Sequence, residues 1–410
     1  MYGAVAMYDE MPVEADLIIE RCLESNPMVL ATYSPNGGYP EGYGYWSYGT
    51  TSEVLLIDVL LTAYGTDFGL SLTDGFMDTG KYMLYMTAPS GKCFNFSDTE
   101  DVAHGNIASW WFASQTGDYT ILYEDLKYLS GGNMSMGELR LLPALLVFAS
   151  RIKGLKCEEP NVNHWVGHGA TPVYIYREGW NSLTDAYLGV KGGSPSTVHA
   201  HMDAGSFVYE HDGVRWSIDL GLQKYNSLES KGVALWDNGQ NGQRWEILRM
   251  RNDYHNTLTI DGMRHIVDSS APIIQVFNSS KRKGAIVDLT ATLGRVESAH
   301  REVSLDSNNY LMVIDTIVVG SNPAKVMWVM VTSAAPVIDG DIIRLFKDGK
   351  RMNLGFQSTV KIEPRIWSNE PLHDYDESND GTYRVGFESF VPPFGKVVFK
   401  TSLVPDSIAI

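Results

Sequence analysis

Cysteine is scarce in this chain. Cys22, Cys93 and Cys157 are its only three in 410 residues, far apart and in no Cys-x-x-Cys spacing. That excludes a disulfide framework and a thiolate metal site, and it leaves the compartment undecided. Long apolar runs are missing too: none approaches the ~20 residues that cross a bilayer, so membrane insertion is not expected. Positive charge is short, with 32 Lys and Arg against 49 Asp and Glu and a net charge of −17. This balance argues against a nucleic-acid surface. It also sits awkwardly with a densely anionic substrate, unless a local group of Arg and Lys reverses the field inside a cleft. There is no repeat of fixed period and no low-complexity stretch.

What is present is an ordinary globular composition, 44% hydrophobic over 410 residues, and a chain of that length is expected to form two cores because single ones stop growing near ~250–300 residues. Its texture changes along its length. Up to about residue 155 the pattern is helical. Pro12 suits a first turn, and Ile18, Ile19, Cys22, Leu23, Val29 and Leu30 share a face until the stretch 34–38 stops it. Further helices are predicted over 54–61, led in by Thr51-Ser-Glu53, and over 75–86, 100–114 and 136–149. Met1 to Tyr8 are apolar without a capping residue or a leader pattern, which reads as a helix entered midway and predicts a segment upstream. After about residue 170, short alternating runs are separated by Gly, Asn and Asp, as in a large antiparallel β-sandwich. The expected organisation is α+β, with helices over 1–160 and a sandwich over 161–410. The stretch 153–170, holding Cys157, Pro160, His164, Trp165 and His168, is the expected connection, and clefts commonly form where such units meet.

Three runs carry chemistry: His199-Ala-His201-Met-Asp203-Ala-Gly-Ser206-Phe, Ile218-Asp219-Leu-Gly221, and Tyr254-His255-Asn256-Thr-Leu-Thr-Ile260-Asp-Gly262. The Asp212-Gly213 turn marks a hairpin that sets Asp219 opposite Ser206, close to His201. His255 opens another strand. A buried carboxylate in Trp-Ser-Ile-Asp-Leu is costly without a partner, and His201, Asp219 and His255 make a candidate metal site. The plainer alternative is a capping aspartate with hydrogen-bonded strand-end histidines. A fourth run is a loop rich in aromatics and glycine: Tyr39-Pro-Glu41-Gly-Tyr43-Gly-Tyr45-Trp46-Ser-Tyr48-Gly-Thr50. It either presents phenols and an indole to a ligand or packs them under the neighbouring helices.

In this order the four runs resemble the heparinase II/III-like polysaccharide lyases and the related alginate lyases, over the whole chain. The resemblance implies an incomplete (α/α) toroid, truncated at its N-terminus, followed by the sandwich. It implies β-elimination at a uronic acid, which requires neutralising the carboxylate, removing the C5 proton and protonating the leaving oxygen. Tyr45, or else Tyr48, matches the acid–base tyrosine, and His199 acts at the reaction centre. His201, Asp219 and His255 match the ligands of a structural zinc. Tyr225 and Arg251 fall at substrate-contacting places, and Glu41, Tyr43 and Trp46 accompany the tyrosine. The residue that neutralises the carboxylate falls ahead of Met1, which leaves Asn95, Asn106, His104 and His164 as stand-ins.

The expected partner is an acidic polysaccharide. Arg244, Arg249 and Arg251 form the one dense basic group near the motifs, which favours a weakly sulfated glycan. The location implied is periplasmic or secreted. An incomplete toroid also predicts self-association, hence a homo-oligomer. A glycan-binding remnant without turnover, and a zinc hydrolase with an open coordination position, are the other readings.

Overall fold

The computed structural model describes residues 1–131, 139–156 and 158–408. Cys157 and the first residues of the helix expected over 136–149 lie outside them.

The first part is helical. Pro12–Leu30 begins on its proline, as expected. The next long helix, Gly42–Tyr64, begins well before Thr51 and absorbs most of the expected loop. Tyr43, Trp46, Ser47 and Thr50 are all buried and stand at i, i+3, i+4 and i+7, a helical face hidden among glycines. Gly65, left-handed at φ 70°, closes this helix. The helix expected over 75–86 reduces to Tyr82–Met86 after a short 3-10 turn, Asp78–Lys81. The one expected over 100–114 starts later, as Ile107–Thr116, because Asn106 is its cap and accepts from Ala108 N–H. This part closes with the helix Leu142–Arg151.

Among the described residues the strand pairings are antiparallel and fall into sheets of five, eight and four strands. The stretch expected to be a plain connection contributes the first strand, His164–Gly167. Trp165 on it stacks on Tyr85 at 6.1 Å. The hairpin of Phe207–His211 and Val214–Ser217 turns at Asp212 and Gly213, both at positive φ. A bulge at Tyr209 and Glu210 pairs Tyr209 with Ser217. That register, continued, sets Asp219 opposite Phe207 rather than Ser206, a one-residue slip that changes the face on which it points.

Asn256 joins the five-stranded and four-stranded sheets edge to edge. Its amide donates to Phe207 O at 2.6 Å and Ile218 O at 2.8 Å, and its oxygen accepts from Val331 N–H. Beside it Ile218 N–H donates to Val331 O. One hydrophobic cluster fills the space between all three sheets, from Leu188 and Phe207 through Val303 to Trp328 and Phe387. A second spans the helices and the first sheet, so that Trp46, Phe94 and Phe112 share a core with Ile175, Tyr187 and Val208. The mainly helical part ends at Arg151 and strands begin at His164, but the packing is continuous across that point.

Candidate active site

The helix Gly42–Tyr64 aims Tyr45 at the sheets. Its start is tight: Gly42 adopts φ 85°, and a Cβ there would lie 2.8 Å from Phe96 O. Its rotation is set by buried polar contacts. The Asn106 amide donates to Ser47 Oγ, Thr51 Oγ1 reaches Asn106 Oδ1, and Asp125 accepts from Asn106 N–H at 3.0 Å. Each of these groups is satisfied away from water, which fixes one arrangement of the helix.

Tyr45 meets His199 face to face, with ring centroids 3.7 Å apart and planes within 13°. His199 is held at φ 61°, an uncommon conformation for a side-chain-bearing residue and one that collects at functional sites. Tyr225 joins both: its hydroxyl lies 2.8 Å from Tyr45 Oη and 2.9 Å from His199 Nδ1, and donates to Asp98 Oδ2 at 2.7 Å. Since that single proton goes to the carboxylate, the Tyr225 oxygen accepts from Tyr45 O–H and from His199 Nδ1–H. This leaves the Nε2 lone pair of His199 free. Burial, the largest cause, raises the Tyr45 phenol above its usual pKa. The resting phenol is therefore protonated. Burial also raises Tyr225, helped by the charge of Asp98.

Asp98 is the hub. Besides Tyr225, its Oδ2 accepts from Arg244 at 3.1 Å, and its Oδ1 faces His201 Nε2 at 2.9 Å. Burial alone would raise this carboxyl, but hydrogen bonds from His199 and His201 and the charge of Arg244 outweigh it and hold the group well below the usual carboxylate range.

His201, Asp219 and His255 come together, fully buried, with one ligand atom of each lying within 4.8 Å of the others. Asp98 takes the Nε2 proton of His201, and Nδ1 is left buried without a partner. His255 Nδ1 bonds Asp219 Oδ2 at 2.9 Å, and its Nε2 is likewise unpartnered. Two orphaned imidazole nitrogens beside a carboxylate fit a divalent cation of zinc type, and a histidine oriented by a carboxylate behind it is the usual support for such a ligand.

A cleft of about 380 Å³ opens at Tyr45, lined by Gly44, Tyr48, Asp98, Leu222, Lys224 and Tyr225. Leu222 and Lys224 also line an adjoining cleft with Asn95, Asp101, Arg249 and Glu377. Tyr48 is 54% exposed on the cleft wall, outside the hydrogen-bonded cluster. Glu41 precedes the helix near His199, and burial raises its carboxyl. Tyr43 and Trp46, expected at the substrate, are core groups instead: Tyr43 bonds His104 O and Trp46 bonds Thr79. Arg251 pairs with Asp253 and is not brought to the Tyr45 cluster. Of the stand-in donors, Asn106 is committed to capping, His164 lines a different pocket, His104 packs against Tyr43, and Asn95 donates to Asp219 O. Asp98 itself was missed, since nothing in Asn95-Phe-Ser-Asp98 marks it among 49 acidic residues.

A helical unit packed on antiparallel sheets is the fold this chain shares with solved polysaccharide lyases of heparinase type. The fold matches the heparan sulfate lyase HepC from Pedobacter heparinus (TM-score 0.57, 16% identity, 94% of this chain and 55% of that one). It also matches a heparinase III gene product (0.63, 14%, 98% and 58%) and another heparinase III (0.62, 12%, 98% and 60%). The chain spans a little over half the length of each. The family signature described as heparinase II/III-like, C-terminal, matches residues 174–379; the chain belongs to the heparinase II/III-like family. No curated protein matches it in sequence.

Proposed function

We propose that this protein is a lyase cleaving a uronate-containing glycan by β-elimination, with His199 and Tyr45 as base and acid. The observation that carries the reading is the Tyr45–Tyr225–His199 cluster, in which a protonated phenol that lines the cleft is stacked against an imidazole with a free nitrogen. The free Nε2 of His199 takes the C5 proton, the electron pair forms the C4=C5 double bond, the C4–O bond breaks, and the Tyr45 phenol protonates the departing oxygen. Tyr225 keeps both groups in register. Lys224, exposed along the join of the two clefts, supplies positive charge for the substrate carboxylate. Tyr48 and Glu41 border the bound sugar.

Zinc is the cation that His201, Asp219 and His255 would hold, and its contribution is to brace the loop that carries His199. The helices are read as part of an (α/α) toroid. The charge around the clefts, with Glu100, Asp101, Glu377 and Asp380 lining the second one, favours a weakly sulfated glycan over a heavily sulfated one. Secretion or export to the periplasm suits such a polymer, since it is met outside the cell.

The test is turnover of hyaluronan, heparan and alginate, read by the ultraviolet absorbance of the unsaturated uronate product. Tyr45→Phe and His199→Ala are each expected to lower kcat by about 10²–10⁴-fold with folding intact. Full activity in Tyr45→Phe would overturn the assignment of the acid. A folded, metal-loaded wild type silent on every glycan would point to a binding protein without turnover.

A further inference from the structure

The chain has ten tryptophans. Nine are buried or half-buried, while Trp236 is 52% exposed. It stands at the reaction centre, its ring 5.6 Å from His199 and 5.2 Å from Tyr225, perpendicular to both within about 13°. The segment that carries it is well tied. Ala234 N–H bonds the Gln243 side chain, Arg244 N–H bonds Asp237 O, and Gln243 N–H bonds Asp237 Oδ2. Gly242 packs so closely that a Cβ would meet Asp237 O at 2.0 Å. A large apolar surface is thus held out to solvent on a braced loop beside the imidazole, where no packing demand of the core explains it.

We propose that Trp236 is a stacking platform for the sugar next to the reacting uronate, and that this sugar is uncharged. The apolar C–H face of a pyranose covers an indole well, and area removed from water there orients the chain across His199. The charge around the ring selects the occupant. The Trp236 indole N–H is held by the Glu229 carboxylate at 3.3 Å. The cation nearest the ring, Arg244 at 6.0 Å, is already engaged by Asp98. A sulfate or a second carboxylate at this place would meet the Glu229 carboxylate, while the cation at the ring, Arg244, is buried and shared with Asp98. The substrate class is therefore a glycan in which uronate alternates with an uncharged sugar, such as an N-acetylhexosamine.

This inference rests on the reading of the cleft as a uronate-glycan site. It is tested by tryptophan fluorescence and by turnover, using tetrasaccharides of hyaluronan, of alginate and of heparin. Binding is followed on the Tyr45→Phe protein to prevent cleavage. The hyaluronan fragment is expected to quench or shift the emission, with the other two binding at least about tenfold more weakly. Trp236→Ala is expected to abolish the signal and raise KM about tenfold with kcat within a few-fold, and Trp236→Phe to restore most of the KM. Three results would each overturn the platform: unchanged KM in Trp236→Ala, a fall confined to kcat, or equal affinity for the three fragments. Any of them leaves the lyase reading standing while product still forms; absence of both product and binding sinks the two together.

Discussion

Asp98 divides its two oxygens between two clusters, one facing His201 of the His/Asp/His group and the other Tyr225 beside Tyr45 and His199. A single carboxylate thereby fixes the tautomer of an imidazole and the donor direction of a phenol. A second carboxylate, Asp125, shows what burial does without a cation. It accepts from Asn106 N–H and Trp110 Nε1–H, both at 3.0 Å. Burial nevertheless outweighs these bonds and pushes the group from 3.8 up to about 7. Its folded value exceeds its unfolded one, so the folded state retains a proton that the unfolded chain releases. Stability therefore falls as pH rises through the window from about 4 to about 7, by up to about 1.4 kcal/mol per pH unit, and stays at the lower level above it. Asp125→Asn is expected to flatten this fall. The check is the melting temperature of both proteins at pH 5 and pH 8; equal pH dependence would refute the assignment.

At the scale of elements, the helix Gly42–Tyr64 was half legible. Its apolar second half announces itself through Val54, Leu55, Ile57 and Leu60, all buried. Its first half reads as a loop because glycine is a poor helix former, and only packing against Phe96 and Thr79 makes the helical conformation pay. Gly42→Ala is expected to cost about 1–3 kcal/mol, since alanine disfavours φ 85° and its Cβ would press on Phe96 O. The loss should appear in denaturant midpoint and, because Tyr45 follows three residues later, in kcat. The hairpin at Asp212-Gly213 was fully legible from its turn residues, but its bulge was not. That depends on Ser217 Oγ reaching Phe207 O and Arg215 reaching Glu210 and Cys93 O, contacts made with partners outside the strand or across it. The late start of Ile107–Thr116 has the same origin: short bridges pair Thr87 with Cys93 and Lys92 with Val102, taking the preceding residues out of helical geometry.

For the whole molecule, the His201/Asp219/His255 group brings the loop after residue 199, the segment after the hairpin and the run at His255 to one point within the continuous core. Chelation is expected to lower the melting temperature by about 5 °C or more, with recovery on adding zinc, because a cation bound only by the folded state stabilises it. Asp219→Asn should show low metal content and no response to chelator; an unchanged metal content would count against this ligand set. The sequence by itself determined the order of helices then sheets, the turn positions, the His/Asp/His set and the family, since these rest on periodicity, backbone preference and residue type within short runs. Tertiary structure alone decided that Asp98, Tyr225, Arg244 and Trp236 converge on His199. Their partners lie up to 180 residues apart, as between Tyr225 and Tyr45, and no local pattern encodes a contact that exists only once the two cores have packed.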